Sequence, residues 1–275
     1  MRASAERQSG ARPATASADA QRVRPFAITM QDLDLDFART DRPQLIDAVL
    51  RCCLEESAGE RPGAGTLDHR IRVLLLVVRA TQGDRLPWMA RCPIQDCEHE
   101  MELEIGVSQL VNMPEAPERF RWSAAPDYTL ELRLPTGRDQ IEWRGAIEAD
   151  AEAEGRDIAL RLATALVSSV NGQPPSSDWS LPGAWLPALD IAFHEHDALA
   201  SLELQVSCPW CGNESVLEPD LEALALSCLA AEQKRVLEEI HRLASTYHWT
   251  EAEVLSIPRR RRSFYLAHTS GEAMP

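Results

Sequence analysis

Lysine is nearly absent from this chain: Lys234 is the only one, and arginine carries the rest of the positive charge. We read this as a compositional habit of the coding genome and attach no function to it. Positive charge as a whole is also short, with 28 basic against 43 acidic residues and a formal net charge of -15. Such a field repels phosphate backbones and anionic lipid, so nucleic-acid binding would need a local basic patch. Long apolar runs are missing too. The most apolar stretch, IRVLLLVVRA at 71–80, is too short to cross a bilayer and carries Arg72 and Arg79. The Arg-, Ser- and Ala-biased start has no apolar run of secretory length, and a disordered tail is expected over residues 1–40. No Ser/His/Asp order, P-loop, glycine-rich dinucleotide turn or His-Glu-x-x-His can be assembled, which points away from an enzyme. The expectation is a soluble, intracellular protein with no membrane partner.

What the chain does have is cysteine, seven in all. An odd number of cysteines in a reducing compartment argues against a disulfide framework and for thiols or metal ligands. Two pairs stand out, CPIQDC at 92–97 and CPWCG at 208–212, each opening on Cys-Pro. CPWCG has the form of a zinc knuckle: Pro209 shapes the turn, and Gly212 tolerates the positive φ that follows the second ligand. CPIQDC carries two more residues between its cysteines, so His99 or Asp96 stands as a substitute ligand there. Each knuckle supplies two thiolates and a tetrahedral structural site needs four. Cys92, Cys97, Cys208 and Cys211 are therefore expected to share one structural zinc ion. The competing reading is two separate turns with unmetallated thiols. A redox role for CPWC would place a helix after the pair, whereas the strand-like ESVLEP follows. Cys52, Cys53 and Cys228 fall on predicted helices as buried thiols. His194 and His196 could face one way on a strand and bind a metal, or be polar residues near a helix end.

The pattern of the remaining chain predicts an α+β fold: helical segments, two Cys-knuckle β-hairpins forming a zinc-ribbon-like unit, and a C-terminal helical tail. RPQLIDAVLRCCLEE reads as an amphipathic helix with Pro43 in its first turn, and TLDHRIRVLLLVVRATQG as a largely buried helix stopped by Gly83. Met101, Leu103 and Ile105 alternate as a strand beyond the first knuckle. YTLELRL reads as a strand, turning at Pro135 and Gly137 toward a helix over IALRLATALVSSV. The order of elements hints at an internal duplication. We divide the chain into a tail (1–40), a first half with knuckle one (41–120), a second half with knuckle two (121–219) and a helical segment (220–275).

That last segment predicts one long helix and two short ones. Val236, Ile240, Leu243 and Tyr247 form an apolar seam, Thr250 and Glu253 stand in capping-box register, and Pro258 starts the final helix. Arg259, Arg260, Arg261 and Arg262 sit in that helix's first turn, where cations oppose the helix dipole. An acidic partner, or the protein's own acidic body, would account for them. Together with Tyr247, Trp249, Phe264 and Tyr265 they suit a partner-binding surface, since aromatic and arginine residues dominate interface energetics.

Four stretches carry a family resemblance: LDHRIRVLLLVVRATQGDRLPWMARCP, LRLPTGRDQ, HDALASLELQVSCPWCG and LEEIHRLASTYHWTEAEVLSIPRRRRSFYL. On these, most of residues 40–267 resembles the T-even-phage-like baseplate proteins of contractile phage tails and contractile injection systems. The expanded first knuckle and an extra Ile257 before Pro258 depart from the pattern. The resemblance implies a non-catalytic structural or assembly component of a baseplate or hub, partnered by other baseplate proteins. It would be cytoplasmic during assembly and then part of the particle. A transient chaperone for a hub or tape-measure protein, and a zinc-ribbon adaptor for nucleic acid or protein, are the alternatives.

Overall fold

The computed structural model describes residues 22–39, 41–55, 64–149 and 155–269. Its centre is a helix that presents an apolar surface on nearly every side. This helix, α3 (Leu67–Gln82), follows the short α1 (Met30–Leu33) and the amphipathic α2 (Arg42–Cys53). Thr66 caps its start by accepting from the His69 N–H, and Gly83 ends it at φ 96, a backbone that an L side chain resists. Eight consecutive residues from Ile71 to Val78 are buried. An all-round apolar helix must be enclosed. It is enclosed by α2, by α4 (Val107–Val111) and by the long α8 (Leu221–Tyr247).

Two of that helix's three arginines, Arg70 and Arg72, are buried, and both are paired. Arg72 donates to the Asp68 carboxylate one turn back and to the Val111, Met113 and Pro114 carbonyls, three acceptors at the end of α4. Arg70 is paired with Asp47 of α2 and donates to the Pro43 carbonyl at 3.3 Å. Buried charge is tolerated only with such partners.

Residues 22–39 are not the tail expected from the sequence. Phe26 and Ala27 are buried in the main core, and Arg24 grips the wholly buried Asp32 at 2.7 and 2.8 Å. Burial pushes the Asp32 carboxyl up, but Arg24 and the N–H groups of Ile28 and Thr29 outweigh it and hold the group below the usual carboxylate range. Gln233 of α8 reaches the Asp32, Leu33 and Leu35 carbonyls and ties the segment down. The expected tail over 1–21 lies outside the described residues.

After α3 the chain forms a hairpin, β1 (Arg85–Arg91) with β2 (Glu100–Gly106), in the register Leu86↔Ile105, Trp88↔Leu103 and Ala90↔Met101. Leu86 and Ile105 belong to the main core, while Ala90 and Met101 belong to a small cluster around Cys92 and Cys208. The hairpin thus carries its cysteine turn outward from the core.

A second core lies under an antiparallel three-stranded sheet, β3 (Arg119–Ala125), β4 (Tyr128–Arg133) and β5 (Val167–Val170), packed by α6 (Gly155–Ala165) and α7 (Leu186–His196). Between β4 and α6 runs α5 (Gly137–Ala149), where the sequence suggested only a turn. The predicted helix over 158–170 ends at Ala165, and VSSV pairs with β4 instead. The second hairpin, β6 (Leu204–Ser207) with β7 (Glu214–Leu217), then precedes α8, α9 (Glu251–Ser256) and α10 (Arg259–Thr269). The fold is α+β. The likeness between its halves is confined to the two hairpins, because α3 leads into the first knuckle and a sheet with its own helices precedes the second.

Candidate metal centre

Each knuckle is a strand-to-strand turn closed by its own backbone. The Cys92 N–H donates to the His99 carbonyl and the Cys97 and Glu98 N–H groups donate to that of Ile94; in the second turn Cys208 N–H donates to Asn213 and Gly212 N–H to Cys208. In both, the residue after the second cysteine takes a left-handed backbone: Glu98 at φ 46 and Gly212 at φ 72. The two extra residues of CPIQDC therefore lengthen the turn without changing how it ends.

The four sulfurs converge. All lie within 4.8 Å of one another, with Cys92 Sγ 3.8 Å from Cys211 Sγ and Cys97 Sγ 3.7 Å from Cys208 Sγ. A disulfide would bring two sulfurs to about 2.05 Å. A tetrahedron of thiolates about 2.3 Å from a central zinc has edges of about 3.8 Å, the spacing seen across the two knuckles. The sulfurs therefore fit one ion bound jointly, each knuckle supplying two ligands. All four coordination positions would be filled by protein.

The surroundings favour the thiolate at Cys208 but not at Cys92. Hydrogen bonds from the Cys211 and Trp210 backbone N–H groups pull Cys208 down to about 6 against the effect of its burial. At Cys92 the Ile94 N–H pulls the same way, but desolvation and the three neighbouring thiols prevail and push it up to about 12. The Asn213 side chain donates to Cys211 Sγ at 3.6 Å, and His99 stacks on Trp210 with ring centroids 5.3 Å apart, joining the knuckles on the outside. Cys211 is the exposed ligand; Cys92 and Cys208 are buried.

His99 is a neighbour of the cluster, its Nδ1 3.6 Å from Cys97 Sγ and 2.8 Å from the Cys97 carbonyl. Asp96 is exposed on the turn. His194 and His196 occupy the last turn of α7, where His194 bonds the Asp190 carbonyl and His196 packs on Phe120. Cys53 and Cys228 are buried and Cys52 is half-buried, and desolvation is the largest cause raising all three thiols, Cys53 to about 12.

The residues expected to bind a partner divide. Tyr247, Trp249 and Tyr265 form a mutual cluster, Tyr247 stacked on Trp249 at 4.7 Å and Tyr265 edge-on to both, half-buried against the main core. Arg262 is buried, facing Glu239 at 3.6 Å, and so is not a surface contact. Arg259 reaches Glu232 at 3.6 Å. The protein's own acidic face thus explains two of the four arginines. Arg260, Arg261 and Phe264 are exposed.

No known family's sequence profile matches the chain, and neither curated proteins nor solved structures give a match. No helix among the described residues is long and apolar enough to cross a membrane. Sequence reasoning did not reach a third feature, an acidic cleft beside Glu222, because its parts come from four distant segments.

Proposed function

We propose that the protein is a zinc-stapled, non-catalytic scaffold or assembly component of the baseplate or hub of a contractile phage-tail-like particle. The observation that carries the structural half of this reading is the convergence of Cys92, Cys97, Cys208 and Cys211 from two distant hairpins. A four-thiolate site has no open position for substrate, which is the mark of a metal that holds a shape. Tetrahedral sulfur ligation suits zinc, with iron the other metal this donor set accepts. The placement in a contractile particle rests on the sequence resemblance over most of residues 40–267.

In this reading Arg260, Arg261 and Phe264 present the docking surface, and the Tyr247–Trp249–Tyr265 cluster holds α10 behind them. Replacing the three exposed residues by alanine should leave the circular dichroism spectrum unchanged and abolish co-purification with baseplate proteins. Unchanged assembly would reject this use of the C-terminal helix. Mass spectrometry of purified particles separates a resident subunit, which is found there, from a departing chaperone, which is not. The net charge of -15 and the pairing of Arg259 and Arg262 to glutamates weigh against a nucleic-acid adaptor.

A further inference from the structure

We propose that the cleft between the N-terminal ends of α3 and α8 receives a cationic group on an aliphatic stem: a guanidinium or ammonium, from a partner's side chain or a small free amine. This inference is independent of the zinc and of the scaffold reading. The cleft measures ≈ 290 Å³ and combines apolar walls from Leu67, Ile71 and Leu199 with the polar groups of Gln140, Asp220 and Glu222. Two of its acceptors lack a donor. Oε1 of Glu222 and Oε1 of Gln140 are both buried with no hydrogen-bond partner, and Glu222 as a whole is only 7% exposed.

An unsatisfied buried acceptor is costly, and a site with two of them demands N–H groups. The nearby cations already have carboxylate partners: Arg42 meets Asp220 on the cleft's rim at 2.5 Å, and Arg70 is paired with Asp47. Burial, with Asp220 beside it, raises the Glu222 carboxyl above its ordinary range even though Arg70, Arg42 and the Gln140 side chain pull it down, and its Oε1 still has no donor. A guanidinium offers several donors in one plane and an ammonium three, either able to meet both oxygens. The leucine and isoleucine walls suit the methylenes behind such a head.

The test is ligand-observed NMR on the full chain with butylguanidinium and its neutral isostere butylurea, at concentrations up to about 50 mM. Butylguanidinium should saturate and bind at least about tenfold more tightly than butylurea, and Glu222→Gln should remove that preference while the rim variant Glu218→Gln keeps most of it. Equal binding of the two probes, no saturation by either, or indifference to Glu222→Gln would overturn the proposal. The neutral probe on the unaltered chain decides the matter even if a variant misfolds. Two further arms assign the source: binding of a blocked Gly-Arg-Gly peptide indicates a polypeptide side chain, and binding of agmatine alone indicates a free amine.

Discussion

A methyl group at position 137 would lie 2.3 Å from the Arg70 guanidinium. That guanidinium is the end of a flexible side chain, but it is 1% exposed and pinned between Asp47 and the Pro43 carbonyl, so it has nowhere to go. Gly137→Ala should therefore destabilise the fold by about 2 kcal/mol, measured by denaturant unfolding; a loss below about 0.5 kcal/mol would show that Arg70 moves freely. Asp197 offers the opposite case. Its burial, reinforced by Asp68, raises the carboxyl to about 6 although the Ala200 N–H bonds it. A folded pKa above the unfolded value means that the folded state holds the extra proton, so stability declines as pH rises toward and through about 6. Asp197→Asn keeps an acceptor for Ala200 and removes the buried charge. It should add about 1–3 kcal/mol at pH 7, with the gain shrinking toward about pH 5. A gain of the same size at both pH values would contradict this.

Among the elements, α10 is held by charge as well as by the packing of Tyr265 and Leu266: Arg262 is its only buried residue, set against Glu239, with Arg235 and Glu232 completing the network. Glu239→Gln weakens the partner of a buried cation. Tryptic cutting within 259–262 should then accelerate about tenfold while α3 stays protected, and an unchanged digestion pattern would deny the network this role. How far such elements can be read in a sequence depends on where their signal lies. α2, α3, β2 and the three C-terminal helices carry their caps and periodicity locally, as in the Thr250–Glu253 capping box, and were predictable. α5 was not, because Pro135 and Gly137 resemble a turn. Yet Thr136 and Asp139 form a reciprocal pair, the Thr136 N–H donating to Asp139 at 2.8 Å and the Asp139 N–H to the Thr136 hydroxyl at 3.4 Å, a start signal in plain view. β5 was hidden because its strand character comes from pairing with β4, a tertiary contact that outweighs the helical spacing before it.

On the scale of the molecule, the cysteine cluster was the most legible feature, since Cys-Pro turns announce themselves in sequence. The partners of the arginines were not, because Glu232 and Glu239 face them only once α8 and α10 fold together. The two cysteine turns also tie distant parts of the chain. If the turns share a metal, its loss should loosen the hairpins and the parts of the molecule they join: treatment with a strong chelator should lower Tm by about 10 °C and the addition of zinc should restore it. A Tm indifferent to chelation would mean that the knuckles hold by backbone and packing alone. The most direct measurement is metal content by elemental analysis on protein purified without added zinc, beside the Cys208→Ser, Cys211→Ser double variant. We predict about one zinc per chain in the first and almost none in the second. Thiols free of metal in the unaltered protein, or full zinc in the double variant, would contradict the account.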